Sequence, residues 1–470
     1  MRRKRIFFSK THRYSTVTRK TVCWYWMSAR LFLNIGGNTD YIFALDYFYS
    51  LGLFIFIENI GGIIMRSIKK SIRLKNVNYE IRGNIINNVK SLEEKGIDIL
   101  KLNIGNPASF NFSASHNILS SMKNNISNCQ GYSDSNGLIS ARKAIISYYK
   151  KKGINKILTE DIYIGNGVSE LILISMQALL NKGDEILVPM PDYPLWTAAI
   201  NLNGGKAVHY KCLEDNNWYP DINDIKSKIT KKTKGIIIIN PNNPTGSLYT
   251  KDILLDIIKV AKEYKLIVFS DEIYDRLLYD DLVHTSIASL SDDIPIITFS
   301  GLSKSHMLAG FRIGWMVITG NKEMIKDYIS GINTLSTMRL CSNVPGQSII
   351  VDAINDVSET EKLLKKGGRL YQQREYIYNR LNSIDGISVT KPDAAFYIFP
   401  RIDLNKFNIR NDSEFIIELL EKKYILLVQG SGFNIDDQSH FRIVFLADYN
   451  TLKKAMDSLE DFLNEKRIIN

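Results

Sequence analysis

The stretch GIIIINPNNPTG, residues 235–246, runs from four consecutive isoleucines straight into a polar loop. Such a run is apolar on both faces of an extended chain, the pattern of a buried strand in a parallel sheet; a half-solvated strand would alternate. The pattern recurs on either side, in IYIGN at 162–166, EILVP at 185–189, KLIVFS at 265–270 and PIITFS at 295–300. Between these runs, 169–181, 251–264 and 322–338 have helical length and spacing. Strand, helix, strand throughout predicts a doubly wound α/β domain over 110–345, with a mostly parallel sheet and helices on both faces. Residues 65–109 and 346–470 are expected to form a smaller α+β domain, with one long charged helix over 358–383 and strands in AAFYIFP (394–400) and FRIVFL (441–446).

The chain has 470 residues, 45% hydrophobic and 23% charged, enough for two domains with substantial cores and too mixed for wholesale disorder. Its net charge of +11 is unevenly spread: residues 1–64 hold nine Lys and Arg against three Asp and Glu. From Met65 onward the balance is 51 to 46, which offers no footprint for nucleic acid. Four cysteines, Cys23, Cys129, Cys212 and Cys341, are too scattered for a disulfide framework or a zinc site, so a reducing, cytoplasmic setting is expected.

Residues 1–64 carry 14 of the 49 aromatic residues and end in the run Tyr47 to Ile57, eleven residues long, where a membrane span needs about 20. The acid-free opening MRRKRIFFSKTHRYSTVTRK fits an organellar presequence superficially. The expectation preferred here is upstream sequence included by a misplaced start, with globular patterning beginning after Met65.

Ligands of open α/β sheets bind beyond the carboxyl ends of the strands, which turns the strand list into a site list. After 162–166 come Gly167, Val168, Ser169 and Glu170; after 235–239 comes NPNNPTG; after 265–270 come Asp271 and Glu272; after 295–300 come Leu302, Ser303 and Lys304. The GNG at 165–167 is no dinucleotide fingerprint, because Glu170 stands where a third glycine belongs. A tight turn before a helix still gathers free N–H groups for one phosphate, although Ser169 or Asn166 acting as an ordinary N-cap would explain the same residues. Lys304, after a buried strand and among small residues, could form a Schiff base from a partly desolvated cleft, or could be a solvated surface group. Arg312 offers a fixed cation for a phosphate or a structural ion pair. Asp271 suits either a helix cap or a carboxylate paired with a cationic ring nitrogen. NPNNPTG holds more constraint than a reversing turn needs; a loop presenting one asparagine amide rigidly, with a cis bond before Pro244, is the functional alternative.

Taken in order, NPNNPTG, SDEIYDRLLYD (270–280), SGLSKSHMLAGFRIGW (300–315) and the arginine of FRIVFL resemble the class I pyridoxal-phosphate aminotransferases of fold type I. KLNIGNPA (101–108), QGYSDSNGL (130–138), DIYIGNGVSEL (161–171), PDYPLWTAA (191–199) and RLCSNVP (339–345) are similar to the bacterial glutamate–pyruvate (alanine) group, and the resemblance covers 65–470. It implies that Lys304 carries the cofactor, pyridoxal 5'-phosphate, and shuttles the proton, while Asp271 keeps the pyridine nitrogen protonated. By the same resemblance Tyr274 and Asn243 bind the phenolic oxygen and Tyr193 stacks on the ring. Arg312, the backbone of Val168, Ser169 and Glu170, the Ser169 side chain and Ser303 take the phosphate. Tyr132 resembles a tyrosine that reaches a neighbouring subunit's phosphate, implying a homodimer. Arg442 is similar to the arginine that grips the substrate α-carboxylate, with Asn243 and the Gly105 backbone nearby. Tyr79 and Arg82 resemble residues that close over the site, and Arg82 is the candidate for glutamate's side-chain carboxylate. Met307 stands where the family motif usually has a smaller residue. The implied activity is ping-pong transamination between L-alanine and 2-oxoglutarate, with amino and 2-oxo acids as substrates and neither nucleic acid nor membrane as partner. Aspartate or aromatic transamination and C–S β-elimination run on the same scaffold, and a non-catalytic regulator is the rival of another class.

Overall fold

Eight strands make the central sheet: β1 (Ile162–Asn166), β2 (Glu185–Met190), β3 (Lys206–Leu213), β4 (Tyr219–Pro220), β5 (Thr233–Ile239), β6 (Ile267–Asp271), β7 (Ile296–Gly301) and β8 (Ile313–Thr319). The computed structural model describes residues 68–77 and 85–467; the segment 1–64, with its expected start-site or presequence character, lies outside them. Strand order is β1-β8-β7-β6-β5-β2-β3-β4. The pairs among β3, β2, β5, β6 and β7 are parallel. The isoleucine run alternates as a two-faced strand must, with Ile236 and Ile238 in one apolar layer and Ile237 and Ile239 in the other.

The sheet is mostly parallel, as expected, with antiparallel strands at its two ends, where β4 pairs with β3 and β8 with its neighbours. β8, which the apolar runs did not reveal, pairs antiparallel with both β7 and β1. Eleven residues, 302–312, separate β7 from β8 without an α-helix, too short a link for a parallel crossover, so the chain turns back on itself. The expected helices appear as Val168–Leu179, Lys251–Tyr264 and Lys326–Met338. The second is delimited by Thr250, whose side chain accepts from the Ile253 N–H, and by Lys265 in the left-handed conformation.

The long helix expected over 358–383 is two helices, Ser358–Leu364 and Arg369–Asn382. Gly367 at φ +88° breaks the spiral, and a Cβ on Gly368 would lie 2.3 Å from the Lys362 carbonyl oxygen. Arg369–Asn382, Asp412–Lys423 and Tyr449–Lys466 pack with the short strands Tyr397–Ile398 and Phe441–Val444 around a second core. Residues Ile72–Asn470 form one compact unit. Among the described residues, no helix is long and apolar enough to cross a membrane.

The loop after β5 is built as a rigid bracket. The Asn240 side-chain oxygen accepts from the Tyr249 N–H at 2.9 Å, and that of Asn242 accepts from the Thr245 N–H and hydroxyl at 3.3 and 3.0 Å. The cis bond lies before Pro241, with another before Pro191, and not before Pro244 as the sequence suggested. Two asparagines thus close the loop, and Asn243 is the one that faces the cavity described below. Gly246 ties this loop to the second core: its carbonyl accepts from the N–H groups of Asp393 and Ala394. It sits at φ +75°, and a Cβ there would come within 2.5 Å of Pro392. Gly246→Ala should therefore cost about 2 kcal/mol or more, read as a lowered midpoint in urea unfolding; unchanged stability would contradict the bracket.

Candidate active site

A cavity of about 690 Å³ opens over the carboxyl ends of the central strands and is lined by Lys304, Asp271, Tyr274, Asn243, Arg312 and Arg442, with Gly105, Val168, Ser169, Tyr193 and Ser303 around them. Eleven of the residues singled out from sequence therefore share one site. They arrive from several strand ends and from the second core, which is the geometry expected of an open α/β sheet.

Its phosphate-sized end is the start of the helix Val168–Leu179. The N-cap is Gly167 at φ +83°, and no side chain caps it, so the ordinary N-cap explanation for Ser169 and Asn166 fails. The Ser169 hydroxyl instead accepts from Arg312 at 3.1 Å, and Arg312 also donates to the carbonyls of Ala309 and Asn166 at 2.9 and 3.4 Å. Closeness explains the glycines: a Cβ on Gly167 would lie 2.5 Å from the Arg312 guanidinium, and one on Gly314 would lie 2.5 Å from the Val168 nitrogen. Glu170 departs from expectation. Its N–H donates to the Gly167 carbonyl, and its carboxylate turns away to Asn166 and Arg339, so it does not line the cavity.

On the sheet floor, Asp271 is buried and its carboxylate accepts from Trp196 Nε1 at 3.1 Å and from the Ile273 N–H at 3.3 Å. Burial pushes its pKa up to about 6, against the pull of those donors and of the Lys304 charge. A helix-cap role is ruled out by the absence of any helix starting at Asp271. The Lys304 amine donates to the Gly105 carbonyl at 3.0 Å and stands 5.8 Å from the Phe396 ring centre. Burial raises the Tyr274 phenol well above its ordinary range, helped by its neighbour Tyr397. Met307 is accommodated at φ +59° with its side chain buried in the second core.

Arg442, buried on the strand Phe441–Val444, donates to the Asn243 side-chain oxygen at 2.9 Å and to the Asn103 carbonyl at 2.7 Å. Its guanidinium packs on the rings of Tyr397 and Phe433, 4.5 and 4.7 Å from their centres. Because the Asn243 oxygen is taken by Arg442, the amide turns its N–H2 end to other partners.

Tyr132 stands apart from the cavity, 82% exposed. Tyr79 and Arg82 lie outside the described residues. Sequence reasoning missed Tyr397, Trp196 and Asn103; PDYPLWTAA and AAFYIFP contain the two aromatic residues but carry no sign of which ring faces a ligand.

The fold and this constellation define a pyridoxal-phosphate-type aminotransferase site, and comparison with known proteins agrees. Residues 97–459 match the family model for aminotransferase class I and II, so the chain belongs to that family. It is 51% identical over 400 residues to the glutamate-pyruvate aminotransferase AlaA of Escherichia coli, covering 85% of this chain and 99% of that one. The crystal structure of an aminotransferase from E. coli superposes with a TM-score of 0.84 at 50% identity, covering 86% of this chain and all of that one. An alanine aminotransferase from Pyrococcus furiosus gives 0.81 at 40% identity over 84% of this chain and all of that one.

The pKa of Asp271 has a stability consequence with a definite sign. A carboxyl raised from 3.8 unfolded to about 6 folded penalises the folded state, by nothing below pH 4 and increasingly up to pH 6. Asp271→Asn in the cofactor-free protein should therefore gain stability over wild type as pH rises from 4 to 6 and hold a lead of about 3 kcal/mol above it. Chemical denaturation across that range measures this, and a lead independent of pH would overturn the assignment.

Proposed function

We propose that the chain is a homodimeric cytoplasmic alanine aminotransferase that moves the amino group between L-alanine and 2-oxoglutarate, yielding pyruvate and L-glutamate. One observation carries the proposal: the Lys304 amine, the buried Asp271 carboxylate, the Arg312-backed helix end and Arg442 converge on a single cavity. The alanine-specific names of its relatives support the choice of substrates.

The site fits pyridoxal 5'-phosphate on its own chemistry. A helix terminus without a side-chain cap, a serine and an arginine suit a phosphate, and a buried carboxylate whose ionisation is opposed by burial lacks a full counter-charge of its own. When bound, that cofactor supplies a cationic ring that stabilises negative charge at the substrate Cα. Asp271 would hold the ring nitrogen protonated, and the Trp196 N–H fixes the carboxylate for that task. Tyr274 and Asn243 would offer donors to the phenolic oxygen and Tyr193 would cover the ring. Val168, Ser169, Ser303 and Arg312 would hold the phosphate. Arg442, already fixed by two hydrogen bonds and two rings, offers its planar fork to the α-carboxylate beside the Gly105 backbone. Lys304 then takes the proton from Cα and returns it on the far side of the exchange, serving alanine and 2-oxoglutarate in turn. The division into a large domain over 110–345 and a small one from 65–109 and 346–470 belongs to the same proposal: the second core delivers Arg442 and Tyr397 to strand ends of the first.

Lys304→Ala should still bind pyridoxal phosphate but lose turnover by about a thousandfold or more, and full activity would refute the assignment. Across a panel of amino donors with 2-oxoglutarate, alanine should be used best. Preference for aspartate or an aromatic donor, or ammonia release from cystathionine without any 2-oxo acid, would reassign the reaction.

For the dimer, the support is a set of exposed apolar side chains in the segments that flank Tyr132 and at 338–340. Leu119, Ile126, Ile139, Met338 and Leu340 are all exposed, and Arg339 donates to the Ser135 carbonyl, which brings the 338–340 turn to the segment that holds Tyr132. Sedimentation equilibrium should give twice the chain mass, and Leu340→Asp combined with Met338→Asp should lower it towards one chain. A wild-type monomer at micromolar concentration would sink this part of the proposal.

A further inference from the structure

Tyr397 belongs to the short strand Tyr397–Ile398 of the second core, yet its side chain also lines the cavity. Its hydroxyl lies 2.9 Å from that of Tyr274, and the two rings meet edge to face with centres 5.7 Å apart. Its ring also carries the Arg442 guanidinium, 4.5 Å from the ring centre. Its hydroxyl also explains why residue 105 is glycine, since a Cβ there would lie 2.3 Å from the Tyr397 oxygen. The carbonyl of that same glycine receives the Lys304 amine. One side chain therefore touches the tyrosine beside Lys304, the arginine of the carboxylate site and the backbone that holds the lysine.

The hydroxyl pair fixes a position. The two oxygens stand 2.9 Å apart and either hydroxyl can donate to the other, so the contact holds the Tyr274 oxygen in place whichever proton is shared. Tyr274 presents that hydroxyl to the cavity it shares with Asp271 and Lys304.

We infer that Tyr397 is a positioning residue: its hydroxyl, hydrogen-bonded to that of Tyr274, holds the Tyr274 phenol against the phenolic oxygen of the bound cofactor, while its ring braces Arg442 for the substrate carboxylate. The inference rests on the aminotransferase reading above and adds a residue with two separable duties. Tyr397→Phe removes the first and keeps the second; Tyr397→Leu removes both.

With pyridoxal phosphate bound, the absorption spectrum of Tyr397→Phe titrated against pH should show its midpoint displaced upward, in the same direction as Tyr274→Phe and by less, because an oxygen with a weakened donor is more basic. Its kcat should fall about fivefold, the worth of one ordinary hydrogen bond, with KM for alanine within about twofold of wild type. Tyr397→Leu should add a rise of roughly tenfold in KM for both alanine and 2-oxoglutarate. A Tyr397→Phe enzyme with the wild-type midpoint and kcat would overturn the hydroxyl's role, and so would one altered only in melting temperature. An unchanged KM in Tyr397→Leu would overturn the bracing. The spectral readout needs neither alanine nor turnover, so a wrong substrate assignment and a wrong role for Tyr397 give different results.

Discussion

Asp271 is a buried carboxylate at the end of a central strand, and much of the site is arranged around that fact. Burial alone would keep it protonated, and the indole N–H of Trp196 and the nearby Lys304 charge only partly offset the cost. A residue whose charge is unwelcome in the empty protein is well placed to prefer a cation delivered from outside. The price in folding stability, about 3 kcal/mol by the size of the shift, is large beside the net stability of a typical domain. It is tolerable because β6 is flanked on both sides by paired strands and packed on both faces, which leaves the strand end no cheap way to relax.

The same strand end places a second acid on the opposite side. Glu272 follows Asp271 and, by the pleat, turns into the other apolar layer, where Ser270 and Ser286 donate to it at 3.0 and 2.8 Å and Lys152 stands 3.9 Å away. Burial pushes Glu272 up to about 7, while the Lys152 ammonium binds Asp275 and burial keeps His284 neutral. Tyr148 donates to Asp275 in the same group. This network bolts the helix Ile139–Lys151 to the segment that leads from Asp271 to Tyr274, so the spacing of those two site residues is set from behind the sheet.

How much of this was readable in advance depended on distance along the chain. The isoleucine runs and the loops after them announced the sheet and nearly every polar group at its carboxyl edge, because a strand and the residue following it are fixed by local chemistry. β8 escaped because direction is decided by loop length and partner, which an apolar run does not encode. The break at Gly367 and Gly368 was visible as two glycines, and charge periodicity outweighed them. Asn243 could be suspected from the density of prolines and asparagines, although the cis bond fell at Pro241. Tyr397 and Trp196 were beyond reach: Tyr397 meets Tyr274 across 123 residues, and Trp196 meets Asp271 across 75. Neither contact leaves a mark in the spacing of either partner.

Those long-range contacts also show how two cores come to share one reaction centre. The floor of the cavity, with Asp271, Lys304 and the helix end at Val168, belongs to strands that fold as a sheet. Arg442 and Tyr397 come from the second core and touch that floor through the Asn243 side chain, the Tyr274 hydroxyl and the Asn103 carbonyl. Positions that must let these groups approach have lost their side chains: Gly105 to the Tyr397 hydroxyl, Gly167 to the Arg312 guanidinium and Gly246 to Pro392. A substituent at Gly105 or Gly246 would push one half of the site away from the other, and one at Gly167 would displace Arg312 from the helix end. The spacing between the phosphate end and the carboxylate end of the cavity is therefore held by steric exclusion as much as by hydrogen bonds, and steric exclusion, unlike a charge, does not weaken with salt or pH.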